Sequence, residues 1–380
     1  MINRRLFIGN LFAVMAAGPA RLARAAGTSV ETIAQVFDAK FNATIPKGAA
    51  LRIVARSGQP ALTGGSYIWH GAPDGGACFK TGTGWIYVSN SEMPEGGGGV
   101  GALRFDASGQ LADSYSILKG TSTNCAGGRT LWNTWLSCEE HGELGQVYEC
   151  DPTGEKPARV RPGLGSFNHE AAAMDPTTGH VYLTEDRPDG CLYRFAPTTA
   201  GDLSAGRLDV AVSDGPRLGW AAVPDPAAAS GPLRKQVPGV MRFNGGEGII
   251  YSAGQVFFTT KGDNRVWSLT LSSQKLGVVY DAAAHATPIL KGVDNIEVSP
   301  TGELLVAEDG GDMQIVALTK DHRKPVALVT LHGQDKSEIT GPAFSPDGRR
   351  LYFSSQRGIE GASANGITYE LDLGATGLFA

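Results

Sequence analysis

Little in this chain suits nucleic acid, a bilayer or a redox couple. Lys and Arg number 33 against 38 Asp and Glu, a net charge of −5, so there is no basic footprint for a polyanion, and the surplus carboxylates favour cations as partners. Charged residues are only 19% of the chain, below the usual ~25%. The five cysteines, Cys78, Cys125, Cys138, Cys150 and Cys191, form no Cys-x-x-Cys, which excludes a thioredoxin-like motif. In an oxidising compartment the odd count leaves at least one thiol unpaired or held by something else. Only seven histidines occur and no Gly-x-Ser-x-Gly, so no nucleophile elbow is present. No apolar run is long enough for a stable membrane span. Beyond a short candidate near Glu31 to Phe41, no strong amphipathic helix appears.

Glycine is abundant, 52 of 380 residues, roughly twice ordinary usage, which suggests many short strands joined by tight turns. Asn3-Arg4-Arg5-Leu6-Phe7-Ile8, the apolar run Leu11 to Ala17 and the small-residue site Ala23-Arg24-Ala25 read as a twin-arginine signal peptide over 1–26. The expectation is a partnership with the twin-arginine export machinery and a periplasmic or secreted mature protein.

Six segments repeat one pattern of polar turn with Gly, apolar or aromatic strand, and polar tip, as in DPTTGHVYLTEDR (Asp175 to Arg187) and SPTGELLVAEDGG (Ser299 to Gly311). Taking Tyr87, Thr134, Tyr182, Phe257, Leu305 and Tyr352 as matching positions, the separations are 47, 48, 75, 48 and 47. A period of ~45–50 residues with alternating strands predicts an all-β, six-bladed β-propeller. It would span 61–380 after an N-terminal segment 27–60, with an excursion off the third blade at about 197–240.

Propellers gather function at a channel mouth. Two positions per repeat are expected there: the start of the opening strand (Cys78, Cys125, Glu170, Glu247, Asn295, Pro342) and the end of the next (Glu92, Glu139 and Glu140, Glu185 and Asp186, Asp263, Glu308 and Asp309, Gln356). Antiparallel neighbours bring these together. Crowded carboxylates stay ionised only if cations neutralise them. Carboxylate oxygens suit hard cations such as Ca²⁺, and a thiolate at the same mouth suits a transition metal, here iron. Cys125 opens a strand before a Gly-Gly pair that lets backbone approach a bound group. His169 reads as a hydrogen-bonded structural residue, Trp132 and Trp135 as blade packing, and Cys138 as structural, either paired with Cys150 or packed as a small apolar group.

NCAGGRTLWNTWLSCEE (Asn124 to Glu140) resembles the signature of the PhoX family of exported alkaline phosphatases. FNHEAAAMDPTTGHVYLTEDRPDGCLYRF, FNGGEGIIYSAGQVFFTTKGDNRVW and VDNIEVSPTGELLVAEDGG follow in the family's order, and the resemblance covers roughly Ala61 to Gly358. It implies a phosphoric monoester hydrolase acting on small phosphoesters at a cluster of Fe³⁺ and Ca²⁺. Carried over by motif, Cys125 and Glu140 would ligate iron, Glu170 and Glu247 would hold the cluster, and Asp309 would complete the calcium shell with Glu92 and Glu308 as further candidates. Asn124 would contact phosphate or orient a ligand. The chain departs from the family at Gly245, where an arginine expected to touch the phosphate is missing; Arg187, Lys261 or Arg357 are the candidates to replace it. Two other readings fit the blades: a calcium-dependent propeller lactonase or esterase, which leaves Cys125 unexplained, and a non-catalytic binding propeller.

Overall fold

The structure, a computed structural model, describes residues 28–215, 217–321 and 324–379. The expected export signal lies outside them. Each repeat folds locally into an antiparallel sheet, and six such sheets form the blades of a β-propeller. Their innermost strands are Pro73–Lys80, Asn124–Arg129, His169–Met174, Gly246–Ser252, Val293–Val298 and Ile339–Phe344. Apolar residues of adjoining blades interdigitate between the sheets, as where Tyr87 of blade one stacks on Tyr352 of blade six at 5.0 Å.

The two ends of the chain close the ring. Ile367–Asp372 is the third strand of blade six, and the fourth is Ala50–Arg56 from the N-terminal segment. The helix expected near Glu31 to Phe41 is instead part of a hairpin, Gln35–Asp38 with Ala43–Pro46, which extends blade five through Ala43 and Leu331. Its β-branched and aromatic residues favour a strand, and Asn42 takes the left-handed conformation at the turn (φ 49°). The excursion from blade three lengthens that sheet: Asp202–Asp214 is the fourth strand and Arg217–Ala222 a fifth. Leu203, Leu208, Val223 and Leu233 then pack into the core shared by blades two and three, so the excursion builds no core of its own.

Small residues let the inner strands converge. A Cβ on Gly75 would lie 2.5 Å from Ala126 Cα of the next blade, and one on Gly128 would lie 1.9 Å from the Ala172 carbonyl oxygen. Every inner strand also carries a bulge near its start, between Pro73 and Gly76, Asn124 and Gly127, His169 and Ala172, Gly246 and Ile249, Val293 and Ile296, and Thr340 and Ala343. An extra residue in one strand re-aims the side chains beside it, and it is here that the inner strands meet one end of the channel.

Candidate metal centre

The pairing register fixes what each blade presents. The first residue of each inner strand faces, on the second strand, Ser91, Glu139, Glu185, Thr260, Glu308 or Ser355. One step further along the inner strands lie Asp74, Cys125, Glu170, Glu247, Asp294 and Thr340. One step beyond the second strands lie Glu92, Glu140, Asp186, Lys261, Asp309 and Gln356. These two circles, joined by Glu338, form the mouth.

Four sets of ligand atoms, each within 4.8 Å of one another, run round it: Asp74, Glu92 and Cys125; Cys125, Glu140 and Glu170; Glu170, Glu247 and Asp294; and Asp294, Asp309 and Glu338. Cys125, Glu170 and Asp294 are each shared by two sets, so the chain of ligands is continuous. Cys125 Sγ donates to Glu170 Oε1 at 3.3 Å. Gln356 Nε2 donates to Asp74 Oδ2 at 2.6 Å and to Glu92 Oε2 at 2.5 Å. The backbone carrying these groups is strutted from the neighbouring blade: Thr184 Oγ1 donates to the Glu247 carbonyl at 2.5 Å, Thr259 Oγ1 to that of Asp294 at 2.6 Å, and Asn90 Nδ2 to that of Cys125 at 3.3 Å.

The electrostatics are those of an anionic site short of countercharge. Burial first, then neighbouring carboxylates, pushes Asp74 (Glu92 and Asp294), Glu170 (Glu247 and Asp294) and Glu338 (Asp294 and Asp309) well above the usual carboxylate range. Glu247 is pushed up by burial and by Asp294 despite Lys261. Glu140 rises to about 8, through burial, then Asp186 and Glu92. Burial and the neighbouring carboxylates also push the Cys125 thiol up. Glu170 is fully buried, yet its Oε2 has no hydrogen-bond partner. Buried carboxylate oxygens without donors are costly unless a cation is bound. The donor set fits such ions: eight carboxylates and one sulfur offer hard oxygen ligands to Ca²⁺ and a soft one to a transition metal.

Of the residues expected to ligate, Glu92, Cys125, Glu140, Glu170, Glu247 and Asp309 meet here, and Glu308 does not. Its side chain turns from the channel, and Oε1 accepts from Lys291 N at 2.8 Å. Glu139 likewise accepts from Ser122 N at 2.9 Å and Gln146 N at 3.1 Å, and Glu185 Oε1 pairs with Arg234 at 2.9 Å. Successive strand residues face opposite sides, so in each acidic pair the second member reaches the mouth. Asn124 is buried within its blade, accepting from Thr121 Oγ1 at 2.5 Å and donating to Ser137 Oγ at 2.9 Å. That makes it a strut rather than a phosphate contact.

Asp74, Asp294 and Glu338 escape a reading by sequence spacing, which puts Cys78, Asn295 and Pro342 at the mouth, one to four residues away, and Asp263 two residues past Lys261. Cys78 packs in the core between blades one and six. Asn295 donates to Asp294 Oδ1 at 2.8 Å and accepts from Gly341 N at 2.5 Å. Asp263 pairs with Arg265 at 2.9 Å. His169 lies in no ligand set and shares a hydrogen bond with the Gly165 carbonyl at 3.0 Å. Trp132 and Trp135 hold Glu149 and Asn90 through their indole N–H groups. All five thiols are free and buried. Cys138 stands opposite Val147 while Cys150 stands opposite Trp135. Three residues separate the two pairs, so Cys138 packs towards blade three and Cys150 towards blade one.

The three candidate cations differ in commitment. Lys261 Nζ lies 3.3 Å from Glu247 Oε1, 3.3 Å from Asp294 Oδ2 and 3.0 Å from Asp309 Oδ2. Arg357 pairs with Glu338 at 2.7 Å. Arg187 follows Asp186 directly, its Nη2 lies against Gly142 in the loop after Glu140, and its buried Nε has no hydrogen-bond partner.

Comparison with known proteins agrees with this architecture. The alkaline phosphatase PhoX family model matches residues 19–280 and 250–358. No curated protein matches. Among solved structures, PhoX from Pseudomonas fluorescens, in complex with the transition-state analogue vanadate, is 17% identical; the match covers 90% of this chain and 98% of that one, with a TM-score of 0.73. A gluconolactonase from Xanthomonas campestris is 12% identical over 85% of this chain and 89% of that one, with a TM-score of 0.52. The second likeness is one of fold. The first joins a family match over most of the length, and the chain belongs to the PhoX alkaline phosphatase family.

Proposed function

We propose that the protein is an exported phosphatase that hydrolyses small phosphomonoesters at this mouth, with iron and calcium held by the ring. The observation that carries the reading is the unbroken run of four ligand sets through Cys125, Glu170 and Asp294. Asp74, Glu92, Cys125, Glu140 and Glu170 would hold ions on the sulfur side, and Glu247, Asp294, Asp309 and Glu338 on the all-oxygen side. When bound, such ions supply positive charge against the phosphoryl oxygens and acidify water.

The protein's own part is orientation. The Arg187 guanidinium, which makes no ion pair among the described residues, offers a planar donor fork to phosphate beside Glu140. It takes the part of the arginine lost at Gly245, whereas Lys261 and Arg357 are spent on carboxylates. The strutted inner strands hold Cys125, Glu247 and Asp294 in place.

Metal-loaded protein is expected to hydrolyse p-nitrophenyl phosphate and to lose that activity when calcium is chelated. Turnover of a lactone with none of any phosphoester would replace this reading with a lactonase. Export by the twin-arginine route to the periplasm or beyond is supported by Arg4 and Arg5 ahead of a modest apolar run. Replacing both with lysine is expected to leave the protein in the cytoplasm on cell fractionation, and unaltered export of that variant would count against the route.

A further inference from the structure

Lys261 breaks the pattern of its own ring. In the other five blades the matching position holds Glu92, Glu140, Asp186, Asp309 and Gln356, so blade four alone brings an ammonium where four of the others bring a carboxylate. The stem is fixed at its base: Lys261 N donates to the Gly245 carbonyl at 2.8 Å, Gly262 N donates to that of Asn244 at 3.0 Å, and Lys261–Asp263 forms a single tight turn. Gly245 carries no side chain, where a Cβ would lie 3.2 Å from Asp186 Oδ1 and 3.8 Å from Glu247 Oε1.

The partners of Lys261 straddle two ligand sets. Glu247 belongs to the set with Glu170, Asp309 to the set with Glu338, and Asp294 to both. We propose that the Lys261 ammonium is a built-in cation filling one ion position on the all-oxygen side of the ring, so that the chain takes up one divalent ion fewer than its acidic sets could hold. The inference rests on reading the ring as an ion site. An ammonium at 3.0–3.3 Å from three oxygens and a calcium ion, whose bonds are ~2.3–2.6 Å, cannot share that position. Tethered charge also cannot be chelated, so part of the countercharge would survive treatments that strip the metals.

The test counts ions and needs no turnover. Chelator-stripped wild type, Lys261→Gln, Lys261→Met and Lys261→Arg are titrated with Ca²⁺ by calorimetry, and the proteins as purified are analysed for iron and calcium. The Gln and Met variants are expected to bind one more Ca²⁺ per chain than wild type, and the Arg variant the same number as wild type. Equal, non-zero counts in wild type, Gln and Met would mean that Lys261 swings away on loading, which overturns this inference and leaves the ion site standing. Absence of Ca²⁺ and iron from every protein would overturn both.

Discussion

Glu170→Gln is expected to lower kcat/KM for p-nitrophenyl phosphate by about 10³-fold or more and to deplete the purified protein of metal. Glu170 is fully buried and is one of three residues shared by two ligand sets, so a single substitution weakens two adjoining ion positions. Bound ions contribute several kcal/mol of charge stabilisation to phosphoryl transfer, and each ~1.4 kcal/mol is a factor of ten in rate. Glutamine keeps the volume and removes one negative charge from a crowded ring, so the fold is expected to survive. Two companion variants separate the explanations. Glu308→Gln changes a residue equally buried and equally acidic in sequence, but on the far side of its strand. It is expected to keep metal and activity and to cost about 1–2 kcal/mol of stability through the weakened hydrogen bond to Lys291 N. Arg187→Ala is expected to keep the metal and lose about 10- to 100-fold in kcat/KM, the worth of a charged hydrogen bond. Elemental analysis beside kinetics distinguishes the three, and wild-type iron, calcium and rate in Glu170→Gln would end the proposal.

The blades were legible in the sequence because each is a local hairpin pattern repeated at nearly constant spacing. Register was not. The sequence anchors Tyr182, Phe257, Leu305 and Tyr352 are structurally matched, each three residues before the strand end. Tyr87 and Thr134 slip by one and two, the matched residues being Val88 and Leu136. A bulge near the start of every inner strand adds a residue that no alternation pattern reveals. A one-residue error exchanges the two faces of a strand, which is how Asn295 stood in for Asp294. The same rule explains the choice of Glu308, since only pairing tells which of two neighbouring acids faces the channel. Ring closure by Ala50–Arg56 was hidden for another reason: it joins residues more than 300 apart, and nothing local announces such a partner. Cys125 and Glu140 were recoverable twice over, from their places in the repeat and from a distinctive motif.

The metal-free protein is expected to lose stability as pH rises from about 4.5 to about 8, opposite to the usual behaviour of a domain held by ion pairs. Glu140 shows the sign. Unfolded, it titrates near its ordinary 4.5; folded, burial and then Asp186 and Glu92 hold its proton until about 8. Between those values the native state keeps a proton that the unfolded chain releases, so each step up in pH favours unfolding. Asp74, Glu170, Glu247 and Glu338 are pushed the same way, by burial first and then by their neighbours. Asp309 runs the other way, because Lys261 and its other partners outweigh burial and hold it below its ordinary 3.8, but that contribution falls outside the window. The combined loss is on the order of a few kcal/mol, since a tenfold change in proton affinity is worth ~1.4 kcal/mol. Calcium should invert the slope. It binds ionised carboxylates, so fewer competing protons at higher pH mean tighter binding, and a ligand at a hundred times its Kd adds about 2.7 kcal/mol. Urea unfolding of chelated protein at several pH values, with and without Ca²⁺, reads both slopes. A chelated protein that gains stability across that window would show that the carboxylates are not crowded as described, and a slope unmoved by calcium would show that the crowding does not serve an ion.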